Sequence, residues 1–159
     1  MRLTDNARRE RAIPTIVQDL LAEEHDLLLA LGLDFLEERQ AEVAARIERQ
    51  ESLVRMLEAE GDPLARTHRE TLQNLYVEQE LLASLTEASA TRPFAAVHRE
   101  YLHNARRRMQ RLLMTGPWTP DPSLRAQRRQ ARLEQELLIE LWSKWHVWVQ
   151  PRTLRNTKP

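Results

Sequence analysis

The chain has no cysteine. That excludes a disulfide framework and any thiolate metal site, and it fits a reducing compartment. Glycine is almost as scarce, with only Gly32, Gly61 and Gly116 in 159 residues. Standing alone, these three cannot build a phosphate-cradling loop. No serine lies in a G-x-S-x-G elbow, so no nucleophilic triad is signalled. Aromatic residues make up only 5% of the chain, in keeping with a helix-forming composition. No uncharged run approaches the roughly 18 residues of a membrane-crossing helix. The four arginines of the first twelve residues lead into a stretch full of Asp and Glu rather than an apolar signal core. These absences lead to the expectation of a soluble, cytoplasmic, non-enzymatic protein without a cofactor.

What is present favours helix. Leu, Ala, Glu, Arg and Gln dominate, and 42% of residues are hydrophobic, enough for one domain with a core. Between Pro14 and Gly61 there is one glycine and no proline, which at about 1.5 Å per residue makes a rod of roughly 70 Å. Pro14 suits the first turn of that rod and Gly61 the position just after its end. Asp62-Pro63 reads as the cap and first residue of a second helix reaching about Ala90, and so short a turn makes an antiparallel hairpin. Thr91-Arg92-Pro93 starts a third helix that stops at Gly116. Three prolines follow in the stretch to Ser123, and a last helix is expected to end at Pro151. The organisation is a basic arm (1–12), a helical hairpin or bundle (13–116), a Pro-rich linker (117–123), a Trp-rich helix (124–150) and a basic tail (151–159). The fold class is therefore all-α, a long antiparallel hairpin extended to a three- or four-helix bundle.

Val43, Ile47, Gln50, Val54 and Leu57 repeat at the spacing of a coiled-coil seam, as do Ile13, Val17, Leu20, Leu27 and Leu31. The two runs are out of register, and a stutter, kink or short break is expected around Gly32, Leu33, Phe35 and Leu36. In the second helix Leu64, His68, Leu72, Leu75, Gln79, Leu82 and Thr86 form one stripe, with His68 and Gln79 as polar intrusions that set register or sit at its edge.

The net charge is zero, but it is segregated: −8 over residues 13–61, −3 over 62–91, +5 over 92–116 and +4 over 117–159. The halves either neutralise each other within one bundle or present opposite faces to partners. The basic half holds two clusters, Arg106, Arg107, Arg108 and Arg111, then Arg125, Arg128, Arg129 and Arg132. Either a solvated face paired with the acidic hairpin or a phosphate-binding stripe fits them. Glu100 and His103 form an E-x-x-H element of the kind that serves di-iron bundles. A second such pair is absent, which weighs against a ferritin-like metal protein. The remaining histidines, His25, His68, His98 and His146, are scattered.

The last helix concentrates Leu138, Leu141, Trp142, Trp145, Trp148 and Val149 at three- and four-residue spacing, with Trp118 in the linker before it. Three readings fit the strip: it closes the core, it binds a partner chain, or it lies flat on a membrane. An interface role for part of it is the expectation, with a helical segment of another protein or a second copy of the chain as partner.

Asp19-Leu-Leu-Ala-Glu-Glu-His-Asp-Leu-Leu-Leu-Ala-Leu, with Phe35-Leu-Glu-Glu-Arg-Gln-Ala-Glu-Val and Ile47-Glu-Arg-Gln-Glu-Ser-Leu-Val-Arg-Met-Leu-Glu, resembles the first long helix of the FlgN-type flagellar export chaperones. Tyr101-Leu-His-Asn-Ala-Arg-Arg-Arg-Met-Gln-Arg-Leu-Leu is similar to a later helix of that family. The resemblance covers about residues 15–115. It implies a cytoplasmic chaperone that masks the C-terminal helices of hook-associated export substrates. The Trp-rich helix departs from the short final segment expected in that family.

Overall fold

The computed structural model describes residues 2–114 and 121–157, with side chains for 23–114 and 121–152. Four helices follow one another, α1 (Arg2–Ala59), α2 (Ala65–Ala88), α3 (Phe94–Met114) and α4 (Pro122–Thr157), and no strand occurs among the described residues. The all-α bundle expected from composition and period is what forms.

The turns follow from their sequences. Gly61 takes φ +66°, a conformation open to glycine at little cost. Its N–H bonds the Glu58 carbonyl at 3.1 Å while Asp62 N–H bonds Leu57 at 2.9 Å, which satisfies two carbonyls left over at the end of α1. The Asp62 carboxylate then accepts the Leu64 N–H at 2.9 Å. Asp121 does the same for Ser123 at 3.0 Å, with Pro122 as first residue of α4, where its missing N–H costs nothing.

α1 packs chiefly on α2, and α3 on α4, so the bundle is two antiparallel hairpins laid together. In the first, Val43, Ile47 and Val54 are buried as the seam requires. Gln50 reaches across it, its Nε2 3.0 Å from His68 Nδ1 and donating to the His68 carbonyl at 3.0 Å. The two polar seam residues satisfy each other and fix the hairpin's register. Gln79, by contrast, is exposed, and so is Leu64. The rest of the stripe is packed, with Leu82 buried and Leu72 and Leu75 half-buried against the core, and Ala65 and Leu85 of α2 are buried beside it. In the second hairpin Ala105 and Ala131 are both buried, and their small side chains let α3 and α4 approach closely.

Four expectations differ from the structure. α2 starts at Ala65 with Leu64 as its cap, rather than at Pro63 behind an Asp62 cap. α1 begins at Arg2, so the basic arm is helical and Pro14 lies inside the helix, where it removes one backbone hydrogen bond. α1 also runs unbroken past Gly32. The reason for that glycine is packing: a Cβ there would stand 3.0 Å from Phe94 Cβ, so the start of α3 rests on bare α1 backbone. α4 continues through Pro151 to Thr157. The carbonyl deprived of its donor is that of Val147, which is exposed and open to water. Finally, most of the expected linker, with Trp118, lies outside the described residues.

Candidate functional site: an α1–α4 cleft beside an aromatic core

The Trp-rich strip is mostly core. Phe35 of α1, 0% exposed, is the hub. Its ring meets Trp145 edge-on at 5.2 Å, Phe94 at 5.4 Å and Trp148 at 5.5 Å. Trp145 is 7% exposed and lies 4.8 Å from Phe94. Leu138 and Leu141 are buried in the same cluster, with Trp142, Trp148 and Val149 half-buried against it. The expectation that the strip meets a partner is therefore corrected for Leu138, Leu141 and Trp145. Burying three hydrophobic side chains inside the chain leaves no surface of theirs to offer. Trp142 stacks on His98 at 4.9 Å and touches His146 at 4.7 Å.

His98 is buried, and its Nε2–H donates to the Leu138 carbonyl at 2.6 Å. Because a carbonyl has no proton to give, Nε2 carries the hydrogen. Burial holds this imidazole below its ordinary pKa, opposed in part by that hydrogen bond. It serves the core and ties α3 to α4.

Trp148 is the strip's outward margin. Its indole N–H donates to Glu38 at 2.6 Å, and the Arg152 guanidinium lies 3.7 Å over its ring. Beside it an open cleft of about 400 Å³ runs between α1 and α4, lined by Arg39, Glu140, Ser143, Lys144, Val147 and Trp148. Its walls are mainly apolar. Val147 on its rim is 75% exposed and Ile139, two turns earlier on α4, 48%. Arg39 pairs with Glu42 at 2.7 Å, yet its Nε is buried without a hydrogen-bond partner among the described residues. An apolar cleft at the margin of the aromatic core has the features of a binding site. Deeper between α1, α2 and α4, burial pushes the Glu78 carboxyl up, against the pull of Lys144 and Arg46.

Sequence reasoning missed Arg39, Ile139, Ser143 and Val147. Ile139 and Val147 were legible as an eight-residue spacing, two turns along one face of α4, but the neighbouring tryptophans dominate the pattern.

The arginine clusters divide. Arg108 pairs with Glu134 at 2.6 Å, Arg132 with Glu136 at 3.2 Å, and Arg128 donates twice to the Leu112 carbonyl, closing the end of α3. Arg106, Arg107, Arg111, Arg125 and Arg129 are exposed, with no ion pair among the described residues. None of the described ion pairs joins the first hairpin to the second. The charge segregation is thus not cancelled by close pairing within the bundle. Glu100 is engaged by Arg92 and His103 is exposed. No group of three or more potential metal ligands forms among the described residues, and no described helix is long and apolar enough to cross a membrane. No family model matches the chain, and no curated protein or solved structure matches it.

Proposed function

We propose that the chain is a non-enzymatic helical adaptor, of export-chaperone type, which binds an amphipathic helix of a partner protein in the α1–α4 cleft. The observation that carries this reading is the cleft itself: an apolar trough beside Trp148, open at Val147. A helix laid there would bury its apolar residues on Val147 and Trp148, in the helix-in-groove mode. Half-exposed tryptophan next to arginine is also the composition of binding hot spots. The cytoplasm is the compartment that goes with this role.

A photo-crosslinker placed at Val147 in the full chain tests it, with one at Arg66 on the remote face of α2 as control. The expected result is a specific adduct at Val147, mapped to an amphipathic helical segment and lost when Ile139→Asp is added. Adducts equally abundant from both positions, or mapped to a non-helical segment, would overturn the assignment.

A second reading is a structural subunit of a nucleoprotein assembly, favoured by the five exposed arginines without described ion pairs. It requires binding to a short duplex that weakens linearly in a log-log plot against salt. Replacing Arg125 and Arg129 by Gln would then reduce the slope by roughly two.

A further inference from the structure

The second hairpin has two unlike edges. Toward α2 it turns Asn104 and Arg108 of α3 with Gln130, Leu133 and Glu134 of α4, which line the spaces left between the hairpins. Across each helix from that edge, α3 carries Arg99, Leu102, Arg106, Met109 and Leu113 at alternating spacings of three and four, which makes one stripe along a helix. α4 carries Arg125, Arg128, Arg132, Gln135 and Trp142 in the matching stripe. Ala105 and Ala131 are buried between the two helices, so the stripes border one shallow seam that faces away from the first hairpin. Its five arginines are accompanied by a single carboxylate, Glu136, which pairs with Arg132 at 3.2 Å. Arg99, Arg106 and Arg125 are exposed, with no ion pair among the described residues. Leu102, Met109 and Trp142 are half-buried and Leu113 is 53% exposed. The seam therefore has an apolar floor with arginine on both banks.

Charge and shape together say what fits there. We propose that the α3–α4 seam is a second docking face, separate from the cleft at Val147, and that it takes an acidic amphipathic helix of another protein. From Arg99 to Leu113 the stripe on α3 is about 21 Å long, room for about four helical turns. The apolar side of the incoming helix would lie on Leu102, Met109 and Leu113, and its flanking Asp or Glu would meet arginine on each bank in charge-assisted hydrogen bonds. A nucleic acid would set phosphates over the apolar floor. A flat lipid surface would meet the protruding arginines without reaching the half-buried side chains between them. A second copy of the chain does not match, because the exposed residues of α1 and α2 interleave carboxylates with Arg46, Arg49, Arg55, Arg66 and Arg69. The same charges select against other helices: a basic amphipathic helix would be repelled from both banks.

The test uses the full chain and a fluorescent synthetic helix of about 18 residues, with leucine at every third and fourth position and glutamate on both flanks. Anisotropy at low salt is expected to show binding that weakens as salt is added. Spectra of the chain with labelled methionine methyl groups should show the Met109 signal moving while that of Met56, on the first hairpin, stays in place. Arg106→Glu combined with Arg132→Glu should weaken binding by roughly tenfold or more, since each bank then repels a flank of the helix. Leu113→Asp should weaken it by roughly fivefold through the floor. Arg106, Leu113 and Arg132 are exposed, so the thermal transition of the bundle should not move, and this separates lost docking from misfolding. Equal binding of a scrambled peptide of the same composition would reduce the contact to bulk charge and overturn the proposal. So would variants that bind like wild type, or a bound peptide that leaves Met109 unmoved. Displacement of the peptide at physiological salt by a short DNA duplex, or by vesicles of phosphatidylglycerol, would give the face to another class of partner and overturn it as well. None of these outcomes touches crosslinking at Val147, so the two assignments stand or fall separately.

Discussion

Trp145→Ala should be among the most damaging single substitutions in the chain. The indole is 7% exposed and lies against Phe35 at 5.2 Å and Phe94 at 4.8 Å, with Trp148 stacked at 5.9 Å. Those rings belong to α1, α3 and α4, so the cavity left by truncation opens where three helices meet and cannot collapse without moving one of them. Buried Trp→Ala changes cost about 3–5 kcal/mol, a large share of the roughly 5–15 kcal/mol that holds a domain together. At roughly 2–4 °C per kcal/mol for a chain of this size, the midpoint should fall by roughly 6–20 °C. Urea unfolding followed by far-UV circular dichroism gives the free energy, and tryptophan emission should lose a blue-shifted, quencher-protected component. Val147→Ala, two residues along on the same helix, removes a side chain that is 75% exposed and should change stability by no more than about 0.5 kcal/mol. A cycle with Phe35→Leu should return a coupling of about 0.5–1.5 kcal/mol for the edge-on ring pair. If Trp145→Ala cost less than about 1 kcal/mol, or no more than Val147→Ala, the strip would not be intramolecular core and the site would have to be redrawn.

Stability should also depend on pH through His98. Its folded pKa lies below the ordinary 6.5, so above that value both states are neutral and stability is full. As pH falls below it, the unfolded chain takes up a proton that the fold resists, and stability declines until the folded pKa is passed. Urea midpoints measured at about pH 7.5 and about pH 5.5 should differ more in wild type than in His98→Gln, and equal differences would show that His98 is not the group responsible. Gly32→Ala sets a helix-propensity gain of about 1 kcal/mol against overpacking of about 1–3 kcal/mol. With the new Cβ 3.0 Å from Phe94 Cβ and that side chain held between Phe35 and Trp145, net destabilisation is expected, and a higher melting temperature would refute the close-packing role. Gln50→Ala should cost about 1 kcal/mol by breaking its bonds to His68, and a neutral result in chemical unfolding would mean the pair does not hold the hairpin register.

Period and punctuation alone made the architecture legible. The Val43–Leu57 seam and Gly61 as the left-handed terminator of α1 are consequences of local backbone chemistry, and both stand where the sequence places them; Asp62 closes the turn by accepting the Leu64 N–H, but α2 starts only at Ala65, with Leu64 as its cap. Local rules failed where a distant contact overruled them. Gly32 reads as a break because a helix interior rarely benefits from glycine, but its use is to admit Phe94, a residue 62 positions away. Pro151 reads as a terminator, and the helix passes through it because the carbonyl it orphans lies at an exposed residue. Gln79 and Leu64 fit a stripe by spacing yet face water, since the curvature and partner of α2 choose which edge of a stripe is buried. The Trp-rich helix was legible as an aromatic strip, but spacing along one helix carries no information on which other helix meets it. Only the packing of α4 against Phe35 and Phe94 makes Trp145 core and leaves Trp148 at the edge of a cleft. Charge segregation was likewise fixed by the sequence, while whether opposite charges lie within 4 Å of each other depends on how two hairpins are laid together. The sequence by itself determined helices, turns and the signs of their surfaces, because those depend on neighbours within about four residues. The tertiary structure decided which apolar faces are buried and which stay open to a partner, because that depends on residues tens of positions apart.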